Sequence, residues 1–208
     1  MARKQNPSTR PNLLDAALSV IRTKGYTATT VDDICAGASV SKGAFFHHFS
    51  SKEDLAVAAA NYWSQMTGAL FANADYHKAD DPLERVLAYV ELRKQLIRGD
   101  LPDFTCLAGT MTQEIYATSP VIRDACWDSI SSHADTLVPD IRAAMERHGG
   151  IGAVGGAFTA ESLALHMQAV IQGAFIIAKA SGDPLRAVES IDHLKRYISL
   201  LFQPPANH

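Results

Sequence analysis

Between Thr30 and Phe49 the chain reads TVDDICAGASVSKGAFFHHF. Thr30 stands as a cap with an acid, Asp33, three residues on, and Val31, Ile34, Cys35 and Ala38 follow as a short apolar stripe. A second run starts at Ser41 and continues to about His47. Two helices of about eight and seven residues joined by about three have the proportions of a helix-turn-helix. In that arrangement the first helix braces the second, and the second offers short side chains to a major groove roughly 12 Å wide. Ser41, Lys42, Gly43 and Ala44 open the second helix; the small residues permit close approach, and Ser41 and Lys42 carry donors for phosphates or bases. Val40 and Phe45 are expected to face inward, with Phe46, His47 and His48 near the helix end and Cys35 as a small buried hydrophobe.

The rest of the chain keeps the same period. Leu14, Ala17, Leu18 and Ile21 recur at i, i+3, i+4, i+7, and Gly25 sits where that helix would stop. Ser51-Lys-Glu-Asp is a cap signature that opens a longer helix through Leu55, Ala59, Tyr62 and Met66. Asp81-Pro82 and Ser119-Pro120 each read as an N-cap followed by proline at the first helical position. The first predicts a helix to about Arg98, and the second a long one to about Arg147 with a kink at Pro139. A short helix is expected from Cys106 to Ala117, a strongly apolar one from Thr159 to Ala180, and a last one from Asp183-Pro184 through Leu201. Nothing alternates as a half-buried strand should, and Gly149 to Gly156 reads as a loop. The expected fold is all-α. The family resemblance set out below implies that residues 1–56 form a three-helix, homeodomain-like helix-turn-helix head (the motif at about 30–49, a linking helix from 51), and residues 57–208 a helical bundle for ligand binding and dimerisation.

The net charge of −3 hides an asymmetry. Through Lys52 there are seven Lys/Arg against three acids (Asp15, Asp32, Asp33), whereas the remainder holds twelve against nineteen. A short basic end on an acidic body suits a polyanion partner at one end only. With 208 residues, 47% hydrophobic and 20% charged, the chain is neither a disordered nor a disulfide-built protein. Cys35, Cys106 and Cys126 form no CxxC pair, which fits a reducing cytoplasm. No apolar run is read as reaching the ~18–20 residues of a membrane span, and the polar first residues lead to no signal-peptide core.

The segment LLDAALSVIRTKGYTATTVDDICAGASVSKGAFFHHFSSKEDL resembles the N-terminal domain of TetR/AcrR-family transcriptional regulators over roughly residues 10–56. Arg10, Gly25-Tyr26, Thr29-Thr30, Val40-Ser41-Lys42-Gly43, His48-Phe49 and Ser51-Lys52-Glu53 carry the likeness. It implies DNA contacts from Arg10, Thr29, Thr30, Ser41, Lys42, Gly43, Ala44, Phe46, His47, His48 and Lys52, with Lys52 holding a phosphate. Two departures stand out: Ser39 replaces the family's usual turn glycine, and Phe46 its usual tyrosine, exchanging a hydroxyl for an apolar contact. The resemblance also implies a twofold dimer through the last two helices. Those helices carry Met167, Val170, Ile171, Ala174, Phe175 and Ala178 on one, and Leu185, Val188, Ile191, Leu194, Tyr197 and Leu201 on the other. Two recognition helices one DNA turn apart, about 34–36 Å, would read a palindromic operator of double-stranded DNA.

Such a body implies a pocket for an unknown small-molecule effector. Trp63, Met66, Phe71, Met111, Trp127, His166 and Met167 are candidate lining residues, and Cys106, at a helix start, is a candidate lining or electrophile-sensing thiol against the plainer reading of a structural one. Gly150-Ile-Gly-Ala-Val-Gly155 spells GxGxxG, but a charged helical segment rather than a strand precedes it, so no dinucleotide site is assigned. His47 and His48 are adjacent and point to different faces, a poor start for zinc. No catalytic residue, metal, cofactor or membrane partner is expected. The expected function is a ligand-responsive homodimeric repressor; an activator or dual regulator is the alternative within DNA binding, and a cytoplasmic helical binding protein or thiol enzyme the alternative outside it.

Overall fold

The computed structural model describes residues 8–149 and 158–203, and among them it is built from helices joined by turns, with no strand. Helix α1 (Thr9–Lys24) buries Leu13, Leu14, Ala17, Leu18 and Ile21 and ends at Gly25, whose amide returns to the Ile21 carbonyl. Gly25 adopts φ +85°, and a Cβ there would strike the Glu114 carboxylate, so both the turn and a close approach require glycine. Helix α2 (Val31–Gly37) starts with the reciprocal cap expected of Thr30 and Asp33. Helix α3 (Lys42–His48) starts at Ser41, whose Oγ accepts from the Ala44 amide. Between them Ser39 holds φ +54°, and the Val40 amide bonds back to the Cys35 carbonyl in a left-handed helix ending. This is the position where the sequence departs from glycine.

Helix α4 (Lys52–Ala72) is capped by Ser51, which accepts from the Asp54 amide. A 3₁₀ turn (Asp75–Lys78) precedes α5 (Pro82–Gln95), whose N-cap Asp81 accepts from Leu83 and Glu84. Helices α6 (Leu101–Phe104), α7 (Leu107–Ile115), α8 (Pro120–Asp135), α9 (Val138–His148), α10 (Ala160–Ser181) and α11 (Leu185–Leu201) follow. The sequence reading differs in four places. The segment from Ser119 breaks into α8 and α9 instead of kinking, because Pro139 lacks an amide and crowds the carbonyl one turn back, so it opens a new helix. Helix α5 stops at Gln95, three residues short of Arg98. The 3₁₀ turn and α6 went unread because four residues are too few to show a period. Helix α10 does pass the length and composition test for crossing a membrane, against the expectation that no run would. Nearly half of that window is buried, however, with Met167, Ile171, Ala174 and Ala178 in the core. The GxGxxG segment lies outside the described residues.

The chain forms two compact units. The first contains residues up to 69 together with 105–129, so α7 and the start of α8 cluster with α1–α3. Here α1 packs on α2, α3 and α7 around Leu13, Ile21, Ile34, Phe45, Leu55, Leu107 and Met111. The second unit contains residues 70–104 and those from 130 onward. Its core is α5 against α9 and α11, with α10 against both. Partly buried ion pairs pin these faces: Arg85 to Asp140, Lys94 to Asp192 and Lys195 to Glu91, each at 2.7 Å.

Candidate nucleic-acid interface

The seven residues of α3 divide cleanly by exposure. Phe45 and, just beyond the helix, Phe49 are buried, their ring centres 5.9 Å apart. Burial of each such ring contributes about 1.5–3 kcal/mol, which holds the helix against its neighbours. Lys42, Gly43, Phe46 and His47 face outward. Phe46 is 56% exposed yet braced edge-on against Phe45 at 5.1 Å. A large apolar ring held rigidly in solvent has no role in the core of its own unit. Ala44 and His48 are half-buried at the boundary between the two faces, and Cys35 is buried behind them, where burial and then Asp32 push its thiol up.

The other residues implicated by sequence take varied positions. Thr30 and Ser41 are exposed, each already accepting a backbone amide as a cap. Arg10 is exposed at the start of α1, its guanidinium 5.4 Å from the centre of the Phe49 ring. Thr29 is buried, and its hydroxyl donates to the Gly25 carbonyl, so it shapes the turn rather than the surface. The Lys52 ammonium is turned inward: it donates to the Tyr26 and Thr29 carbonyls at 3.0 and 2.9 Å and lies 4.2 Å from the Tyr26 ring centre. Burial lowers its pKa, opposed by the nearby Glu114. From α7, Glu114 accepts the Tyr26 and Thr27 amides at 3.2 and 2.7 Å, and Ser119 donates to Glu53 on α4. The turn before the helix-turn-helix is therefore gripped by a lysine through its carbonyls and by a glutamate through its amides.

The basic end is also less free than its composition suggests. Lys42 pairs with Asp32 at 2.8 Å, with both side chains largely exposed, and the hydrogen bond to Asp32 raises the Lys42 pKa. Lys24 pairs with Asp33. Its hydrogen bond, followed by those from Thr30, holds the Asp33 carboxyl well below the usual carboxylate range. Counting charges along the chain could not show this, because the pairs join different helices.

The eight ligand candidates are distributed over both units. In the first unit Met111 is core, Trp63 is half-buried under the Arg22 guanidinium at 5.0 Å, and Met66 and Trp127 are exposed. Cys106 is half-buried and serves as the N-cap of α7, its Sγ accepting the Gly109 amide at 3.4 Å. In the second unit Phe71 and Met167 are buried, and His166 is exposed, its ring 5.4 Å from that of Tyr197. Helical spacing groups such residues but leaves the facing direction of each helix open. Sequence reasoning passed over a polar group in the second unit made of Tyr89, Arg93, His133 and Gln168. The available signal was Gln168 standing within the apolar stripe of α10, between Met167 and Ile171.

Comparison with known proteins agrees with this geometry. Residues 13–59 match the family model described as bacterial regulatory proteins, tetR family. The transcriptional regulator AcuR of Cereibacter sphaeroides is 28% identical over 114 residues, covering 55% of this chain and 52% of that protein. The HTH-type transcriptional repressor KstR2 of Mycobacterium tuberculosis is 44% identical over 48 residues, 23% of this chain and 24% of its own length. The chain spans about half or less of the curated relatives it matches. Among solved structures, a TetR-family transcriptional regulator from Agrobacterium tumefaciens superposes with a TM-score of 0.78 at 24% identity, covering 95% of this chain and 100% of that one. The reduced form of Escherichia coli NemR superposes with a TM-score of 0.74 at 22% identity, covering 96% and 100%. The helix-turn-helix with its outward-facing α3 thus coincides with the tetR-family match at residues 13–59, and the chain shares its all-helical fold with solved TetR-family regulators.

Proposed function

We propose that the protein is a DNA-binding regulator of transcription, acting as a homodimeric repressor of a palindromic operator that releases its site when a small molecule binds. The observation that carries this reading is the outward face of α3. Lys42, Gly43, Phe46 and His47 are exposed on the outer face while Phe45 and Phe49 anchor the helix, the division that insertion into a major groove requires. Arg10 and the exposed caps Thr30 and Ser41 supply phosphate contacts beside it, whereas Thr29 and Lys52 support the turn from within. The assignment as a repressor takes support from the likeness to the transcriptional repressor KstR2.

Dimerisation draws support from apolar side chains that the second unit leaves in solvent. Leu165, Ile176 and Ile177 on α10, with Tyr197 and Leu200 on α11, are exposed large hydrophobics on the two helices expected to pair. A twofold pairing would carry two copies of α3 to adjacent turns of one duplex. Release on ligand binding requires that the ligand favour the form that cannot hold DNA, since equal affinity for both forms shifts nothing.

The test is fluorescence anisotropy with purified protein and labelled duplexes drawn from the intergenic DNA beside its own coding region. A palindrome should bind with an affinity that falls steeply as salt rises. Absence of binding to any duplex, or a flat response over about 50–300 mM salt, would overturn the proposal.

A further inference from the structure

The second unit pairs its half-buried cations carefully. Arg85 holds Asp140, Lys94 holds Asp192, and Lys195 holds Glu91. Arg93 on α5 differs: it is half-buried, and among the described residues no carboxylate lies within ion-pair distance of it. Its guanidinium instead lies over two aromatic rings, 5.2 Å from the Phe71 ring centre and 5.8 Å from that of Phe175. One turn back on the same helix is Tyr89, a buried residue whose phenol feels the Arg93 charge. Gln168 Nε2 donates to the phenol oxygen at 3.0 Å, so the Tyr89 hydroxyl keeps its own hydrogen for His133 Nε2 at 2.9 Å.

The group therefore carries one net positive charge at neutral pH. Burial, and secondarily Arg93 itself, push the His133 pKa down to about 4, so the imidazole is neutral, and burial keeps Tyr89 protonated. Solvent still reaches both Arg93 and His133, which are only partly covered. A guanidinium has five donors in a planar fork, and contacts with two rings leave most of them unused. The complement to a partly desolvated fork beside aromatic rings is a carboxylate on an apolar body. A more heavily hydrated dianion would lose too much solvation among those rings.

We propose that Arg93, beside Phe71 and Phe175 and backed by the Tyr89–His133–Gln168 network, is the binding site for the carboxylate of an apolar organic acid. The proposal deepens the regulatory reading above and rests on it only for the consequence of binding, not for binding itself. The test is titration calorimetry on the full chain with 3-phenylpropionate, its neutral amide 3-phenylpropionamide, and inorganic phosphate. The acid should bind about 10- to 100-fold more tightly than the amide, the worth of charge-assisted hydrogen bonds, and phosphate should not compete. Arg93→Met should bring the acid and the amide to equal affinity, and Arg93→Lys, which keeps the charge but not the fork, should fall between. If Arg93→Met fails to fold, the wild-type preference for acid over amide together with Arg93→Lys decides. Equal binding of acid and amide by wild type, no binding of either at about 10 mM, displacement by phosphate, or an acid preference that survives in Arg93→Met would each overturn the proposal. Operator binding, measured on the same preparation, separates the two readings. DNA binding without acid binding refutes this site alone, and acid binding without DNA binding refutes the regulatory reading alone.

Discussion

Replacing His133 with glutamine should flatten the pH dependence of stability between about pH 4 and 6.5. In the folded chain the imidazole accepts from Tyr89, contacts the Phe71 ring at 4.6 Å between centres and titrates near 4, against 6.5 for the free side chain. Above pH 6.5 neither the folded nor the unfolded state protonates it, and its contribution is fully present. As pH falls through 6.5 the unfolded chain takes up a proton that the folded chain refuses until about pH 4. Acidification thus favours unfolding by up to about 1.4 kcal/mol per pH unit, and by about 3 kcal/mol in all. The assay is urea unfolding followed by far-ultraviolet circular dichroism at a series of pH values, at one fixed protein concentration so that association does not move the midpoint. The difference between wild type and His133→Gln isolates this group, because the other titrating residues are common to both and the lost packing is independent of pH. A difference constant across the window, or an imidazole signal titrating near 6.5 by nuclear magnetic resonance, would refute the burial argument.

Other expectations follow from the same geometry. Ser39→Gly should stabilise the protein by about 0.5–1 kcal/mol in the same unfolding assay, because it relieves a side chain held at φ +54° while adding backbone entropy to the unfolded state. Asp32→Asn should free Lys42 for phosphate, strengthening operator binding at low salt and steepening the slope of log affinity against log salt by about one per protomer, about two for the dimer, read by anisotropy across a salt series. Ile177→Glu, on an exposed face of α10, should leave the helical circular dichroism intact while shifting sedimentation from dimer toward monomer at micromolar concentration.

Most helix starts could be read from the chain because capping is local. Thr30 and Asp33, Ser41 and Ala44, Asp81 with Leu83, and Thr159 with Ser162 each form within three residues, so sequence neighbours suffice to specify them. The inward face of α3 was legible in part: Phe45 is buried as expected, whereas Val40, in the turn before the helix, is only half-buried. The tetR-type head was thus written in the order of residues, down to the anomalous serine at position 39. Other features depended on partners far along the chain. Lys52, for which the likeness implied a phosphate contact, donates to the Tyr26 and Thr29 carbonyls, and Glu114, 88 residues from Tyr26, becomes the other half of that grip. Lys42 and Asp32 meet only because α2 and α3 cross as they do. Likewise the charge left on Arg93 and the neutrality of His133 are set by the packing of α5, α8 and α10. Sequence decides local hydrogen bonds and the phase of each apolar stripe, since both act over one helical turn. Which charges are neutralised and which polar groups lose water depends on distances between elements, and only the folded chain sets those.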